Sequence, residues 1–434
     1  MSDTHAQTVP YVRESMLPQA EPPVAERGVV KWIRENLVSS WLNAILTLVS
    51  LYIIWWVVSH VWGWFAGSVW NAGSLTECRE ILAGEEGACF AVIAERWNQL
   101  VFGFYPPELY WRPLLALALF FAAIAPVLFP ERVPRAMFVV TAAMPFVNVW
   151  LIWGGSLWGP IFVALGFVAG WGAWRLAQPR LGVLAGAILS VLAALLWWGV
   201  VTGWASPDFA RILPLDLQRV TSRDIGGFLL STIIGLSAII LSLPLGILLA
   251  LGRQSDLFII NKVSVAFIEV IRGIPLIVWL FTAQLLLNYF LPPGTNFDLL
   301  LRVIIMVTLF SAAYIAEVVR GGLAALPRGQ YEGADSLGLS YWQSMRLIIL
   351  PQALKISIPG IVNTFIGLFK DTTLVVFIGL LDPIGFSNAI RASTDWNGIY
   401  WELFVFIGVL FFIFCYSMGR YSLYLEKKLS REHR

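Results

Sequence analysis

Charge is scarce in this chain. Asp, Glu, Lys and Arg make up 13% of its 434 residues, against about 25% in soluble domains. A soluble fold this poor in charge could not cover its surface, which excludes a cytosolic enzyme. The 58% hydrophobic content excludes a disordered chain. A net charge of +2 is too small to call for nucleic acid. Cysteine is nearly absent: Cys78, Cys89 and Cys415 form no C-x-x-C, so no zinc or redox site is expected. His5, His60 and His433 are scattered, and no metal is expected. There is no G-x-x-x-x-G-K-[ST], and no Gly directly precedes a Lys, so the phosphate-cradling loop of an ATPase is missing. No nucleophile–base constellation stands out.

Long apolar runs are what the chain does have. A membrane-spanning helix needs about 20 mostly apolar residues, and mean hydropathy is +0.76. Ten spans are predicted: 41–64, 113–129, 137–153, 158–176, 181–201, 225–252, 263–290, 301–321, 356–380 and 399–420. The runs are apolar on both faces, which argues for helices rather than a β-barrel. The fold class is therefore an all-α polytopic membrane protein. The segment 263–290 is too long for one straight span, and a short helix before Pro275 would absorb the excess. With the N-terminus inside, the inner segments hold 19 of the 29 Lys and Arg and the outer segments eight. That asymmetry predicts both termini on the cytoplasmic side. The first residues carry no apolar h-region, so no cleavable leader is expected.

Composition divides the chain. Seventeen of the 21 Trp precede residue 205. The reading is a tail over 1–36, a Trp-rich membrane region over 37–205 with an outer loop at 66–112, and a connector at 206–224. A working module then covers 225–421, with a long inner loop at 322–355, and a basic tail covers 422–434. Cys78 and Cys89 share the outer loop, where a bridge would persist on an oxidising side; two free thiols are the alternative. Cys415, in an apolar run, reads as a small core residue.

The inner loop carries the most information. Glu332 through Leu337 leads to Gly338, which suits a helix C-cap. A second apolar-periodic run ends at Pro351, which terminates or kinks it. Leu337, Leu339, Tyr341, Met345 and Ile348 are expected to be partly exposed unless a partner covers them. Glu332-Gly333-Ala334, Gly338 three residues on, and Ile348 to Pro351 nine residues further match E-A-A-x3-G-x9-I-x-L-P, with Gly333 in place of the first Ala. In this the chain resembles ABC-importer permeases. EVIRGIPLIVWLF, AAYIAEVVRGGLAALPRGQ and LFKDTTLVVFIG resemble the polar amino-acid branch. The Trp-rich half resembles the extended permeases of the AapM/BztC type, which serve acidic and amide amino acids.

The resemblance implies a C-terminal five-helix type I importer module and a bacterial inner-membrane location. The loop, with Glu332, Gly333, Ala334, Gly338, Ile348, Leu350 and Pro351, would dock on a cytoplasmic ATPase subunit dimer. ATP and Mg would bind that dimer, and this chain would bind no cofactor. A second, related permease (a heterodimer is favoured), a periplasmic amino-acid-binding protein and the lipid bilayer are the other implied partners. The implied cargo is glutamate, glutamine, aspartate and asparagine.

Ionisable groups inside spans usually mark a pathway or a pair. Asp371 suits an α-ammonium, and Lys370 or Thr372 an α-carboxylate. Asn363 and Thr364 suit a side-chain amide or carboxylate. Glu317 is the remaining candidate; internal pairing, such as Glu317 with Arg320, is the competing reading. An ion-coupled secondary transporter is the rival function; it would need an inverted repeat and a mid-membrane ion site. A membrane enzyme is the second rival and would need clustered polar residues at one face.

Overall fold

The structure, a computed structural model, describes residues 28–286, 289 and 297–431. The tail before residue 28, the predicted span beyond residue 286 and residues 432–434 lie outside the described residues. The chain divides into two compact units. The first contains helices α1 (Gly28–Asn36) and α2 (Trp41–Ala66) and the segment Arg79–Cys89. Ser40 caps α2 by accepting from the Asn43 amide. No residue of α2 is buried, and its apolar side chains run all the way round. A helix of that kind belongs in lipid.

The helix Leu75–Leu82 straddles the division, and the second unit holds the remaining helices. They are α3 (Ala91–Phe102), α4 (Trp111–Leu128), α5 (Phe138–Trp153), α6 (Trp158–Leu196), α7 (Thr202–Ile212), α8 (Gly227–Arg253), α9 (Phe258–Gly273) and α10 (Leu276–Phe281), then α11 (Leu299–Ala324), α12 (Arg328–Ser336), α13 (Tyr341–Ser344), α14 (Leu350–Asp371), α15 (Pro383–Arg391) and α16 (Trp401–Arg431). A two-residue ladder pairs β1 (Gly155–Ser156) with β2 (Asp216–Leu217), antiparallel.

Eight helical stretches among the described residues are long and apolar enough to cross a membrane, and the bent pair α9–α10 makes nine. The stretch Trp158–Ile212 counts as one of these at 55 residues, about 82 Å at 1.5 Å per residue. A single crossing needs about 30 Å. Gly182 breaks it with φ +85°, and the limbs fold back on each other. Trp197 Nε1 donates to the Phe162 carbonyl at 2.9 Å and Ser190 Oγ to Gly170 at 2.8 Å. Taken as two limbs, it brings the crossings to the ten expected. The predicted helix before Pro275 is α9, bent by 102° against the helix that follows.

Ends that should share a membrane face do so. On one face Val220 N–H donates to Trp153 and Gly227 N–H to Leu381. On the other, Tyr421 Oη donates to Leu128 at 2.7 Å. The centre of the unit is α11, the most buried span, packed on α8 and α14. The α11–α14 crossing is close because Gly322 offers no Cβ where the Ala353 carbonyl passes. Buried Arg302 on α11 donates to the Ala283 and Gln284 carbonyls at 3.1 and 3.2 Å, satisfying carbonyls freed where α10 gives way to a π turn.

Candidate functional site

The inner loop is a helix–turn–helix anchored at one end and bare at the other. Its first helix, α12, holds Glu332, Gly333 and Ala334; Ala334 is buried and Glu332 exposed. The turn closes when Leu339 N–H reaches back to the Ala334 carbonyl at 3.3 Å, with Gly338 at φ +68°. This is the Schellman arrangement, which puts its left-handed residue where only glycine is unstrained. Ser340 and Gln343 then form a capping box that starts α13. Leu337 is 73% and Trp342 67% exposed, and Tyr341 is exposed beside them. Met345 and Ile349 are instead buried in a core cluster with Ile268, Ala316, Val319 and Ala353, and Ile348 packs against that cluster. The expected partial exposure holds for Ile348 and is corrected for Met345: a helical period turns Met345 inward while Tyr341 and Trp342 face out.

Pro351 does not terminate the helix. A π turn at Met345–Ile349 joins α13 to α14. Its wider hydrogen-bond spacing accommodates the missing proline N–H within an unbroken helical run from Tyr341 to Ile378. Gln352 Nε2 donates to Gln330 Oε1 at 2.9 Å, fastening α14 to α12.

Beside the loop, Glu317 sits between three arginines. It receives Arg253 Nη1 at 2.6 Å and Arg320 at 3.0 Å, with Arg272 at 3.8 Å. Arg253 also bonds Glu269 at 2.9 Å. The carboxylate is 17% exposed and fully committed, so Glu317 offers nothing to a substrate ammonium. The sequence suggested only its Arg320 neighbour, three residues away; Arg253 and Arg272 arrive from α8 and α9, a convergence that no local spacing reveals.

The remaining candidates lie on α14. Asn363 and Lys370 are exposed and seven residues apart, which places them on one face. Thr364 and Asp371 share the adjoining face and are partly buried. Neither the Lys370 ammonium nor the Asp371 carboxylate has a hydrogen-bonded or ion-paired partner among the described residues. Thr364 Oγ1 donates to Gly360 at 2.9 Å, leaving its lone pairs. Thr372 differs: its hydroxyl donates to the Phe369 carbonyl at 2.7 Å and the residue is 1% exposed, so it presents no group to a ligand. Phe369 and Thr372 flank Gly235, about 12 Å along α8 from Gly227. Lys370 and Asp371 therefore lie within a few ångströms of the middle of a hydrocarbon core about 30 Å thick.

Just beyond the span, Asp382 caps α15. Its Oδ1 accepts from Gly385 N–H at 2.8 Å, and its Oδ2 has no partner. The residue is 0% exposed. Burial pushes the carboxyl up to about 6, against the pull of the Gly385 and Ile384 N–H groups. Cys78 and Cys89 are buried and disulfide-bonded; Cys415 is a free, partly buried thiol.

A family model described as "Binding-protein-dependent transport system inner membrane component" matches residues 242–431. The chain is 55% identical to the Rhodobacter capsulatus "Glutamate/glutamine/aspartate/asparagine transport system permease protein BztC", with 100% of both chains covered. It is 39% identical to the Escherichia coli "Inner membrane amino-acid ABC transporter permease protein YhdY" over 92% of each. A solved structure described as an amino acid ABC transporter with histidines is 30% identical, covering 46% of this chain and 90% of that one with a TM-score of 0.41. Relatives of this kind support an ABC permease, not an ion-coupled transporter. With an E-A-A-type loop, about ten helical crossings and full-length similarity of this order, the chain belongs to the inner-membrane permeases of binding-protein-dependent ABC transport systems, in their amino-acid branch.

Proposed function

We propose that this chain is one permease subunit of an importer for glutamate, glutamine, aspartate and asparagine, with both termini in the cytoplasm. The 55% full-length identity to a permease named for those four amino acids supports the cargo, and the 19-to-8 distribution of Lys and Arg supports the orientation. Substrate arrives from a periplasmic binding protein and passes between this chain and a second, related permease. A pair of cytoplasmic ATPase subunits binds ATP with magnesium and closes on hydrolysable nucleotide.

The loop is the observation that carries the reading. Leu337, Tyr341 and Trp342 form an exposed apolar tip, while Met345 and Ile349 are set in the core behind it. A partner gripping the tip moves α14 as a rigid body, because the two ends are one helical rod. On that rod Asp371 takes the substrate ammonium and Lys370 the α-carboxylate, as charge-assisted hydrogen bonds. Asn363 and Thr364 read the side chain from the same helix.

The test is uptake of labelled glutamate into proteoliposomes carrying the complex purified in mild detergent. ATPase subunits should co-purify, and uptake should need internal ATP. Asp371→Asn should lower uptake about tenfold, the worth of about 1.4 kcal/mol, with assembly intact. Uptake by the chain alone under an ion gradient would overturn the function; normal uptake by the variant would remove Asp371 from the substrate path.

A further inference from the structure

Between the hairpin α4–α5 and spans α8 and α11 lies an apolar cavity of about 600 Å³, lined among others by Ala116, Phe120, Ile233, Leu236 and Ser237. Its deepest residue on α8, Leu241, is about 21 Å along the helix from Gly227; Phe120 and Met144 lie about 13 Å along α4 and α5 from their ends on the same face. The depth along α4 and α5 is close to one leaflet, half of a hydrocarbon core about 30 Å thick, and along α8 the groove runs somewhat past the middle. The cavity therefore opens at one side of the membrane and ends beyond its middle on α8.

At its rim, Trp153 is a wall shared with a smaller cavity of about 340 Å³ that Gly155, Ser206 and Arg219 also line. Arg219 is exposed and has no carboxylate partner among the described residues. Its guanidinium lies over Gly155, where a Cβ would stand 3.2 Å from Nε. Trp150, Trp153 and Trp158 surround this level, each with its indole N–H bonded to Gly155, Ser222 or Leu213. Such a tryptophan belt marks the headgroup level. From rim to floor the order is the Arg219 cation, then indoles and the Asp298 carboxylate, which is engaged in capping α11, then a mostly hydrocarbon wall broken by Asn148, Thr232 and Ser237.

We infer that the two adjoining cavities hold one phospholipid, with an acyl chain in the groove and its phosphate on Arg219. A void this size would forfeit dispersion contacts along four helices, and an acyl chain restores them. The single positive charge complements a phosphate, which a guanidinium can hold through two parallel hydrogen bonds. An amino-acid zwitterion would find no charged group in the floor of the groove, only the Asn148 amide and the Thr232 and Ser237 hydroxyls.

The experiment uses the intact complex in nanodiscs of phosphatidylethanolamine and phosphatidylglycerol, doped with a phosphatidylethanolamine whose acyl chain carries a photoactivatable diazirine. Cross-links should map to 233–241 on α8 and 116–120 on α4. Native mass spectrometry should find one retained phospholipid per chain, reduced about threefold by Arg219→Gln, the effect of losing one partly exposed ion pair. Ser237→Trp, which fills the groove, should abolish the mapped cross-links. Should Ser237→Trp fail to fold, the cross-link map and Arg219→Gln still decide. Cross-links spread evenly over the outer surface, retention unchanged in Arg219→Gln, or these residues cross-linking to the second permease would each overturn the inference.

Discussion

Asp382 shows how one residue can set a pH response. Its folded pKa of about 6 lies above the unfolded value of about 3.9, so the folded state holds the proton more tightly. Between about pH 4 and pH 6 the stability from this group therefore falls as pH rises, and it is flat above, for a total of at most about 3 kcal/mol. Asp382→Asn keeps the helix cap and should flatten that slope. Melting temperatures in detergent at about pH 4 and about pH 7 check this; an unchanged slope would assign the pH dependence elsewhere. Asp371 could be picked out of the sequence because an acid inside an apolar run is conspicuous. Asp382 could not: before Pro383 it looks like any turn aspartate, and only tertiary burial makes it unusual. Thr372 was legible as a polar residue in a span, but its hydroxyl is consumed one helical turn back, a detail that depends on the local backbone.

At the scale of elements, the inner loop separates two glycines that look alike on the page. Gly338 has φ +68° and open space around it. Alanine there costs about 1–2 kcal/mol of left-handed strain, released by re-angling α12 against α13. Gly333 lies in a helix, also in open space, and alanine there should stabilise by up to about 1 kcal/mol. ATP-driven uptake should fall in Gly338→Ala and persist in Gly333→Ala, with both proteins inserted normally. Equal uptake in the two would show that the turn angle carries no coupling. The loop's helix–turn–helix was readable because capping residues act locally. Pro351 was not, since whether a proline stops a helix or is absorbed by a π turn depends on the packing of Met345 and Ile349 on other spans. The break at Gly182 followed the same divide: periodicity located both limbs, and the glycine's positive φ made the reversal.

For the molecule as a whole, the change of composition near residue 205 is not a boundary in the packing. Phe102, Tyr105, Leu151 and Ile152 share one core cluster with Leu230, Ile233 and Val303. Arg112 donates to the Gln218 carbonyl at 2.7 Å and Tyr421 to Leu128. Residues 206–434 expressed alone should therefore melt at lower temperature and aggregate more readily than the full chain, as read by size-exclusion chromatography after heating. A fragment as stable as the parent would make the first half a true appendage. The bare stripe of Asn363 and Lys370 on α14 has a consequence for the cell. A copy made without a mate leaves an amide and an ammonium against hydrocarbon, and a lysine at a helix centre costs about 2.5–3.5 kcal/mol there. With the second permease proposed above covering that stripe, a copy made in excess of its mate should turn over faster in the cell, which pulse–chase labelling would read.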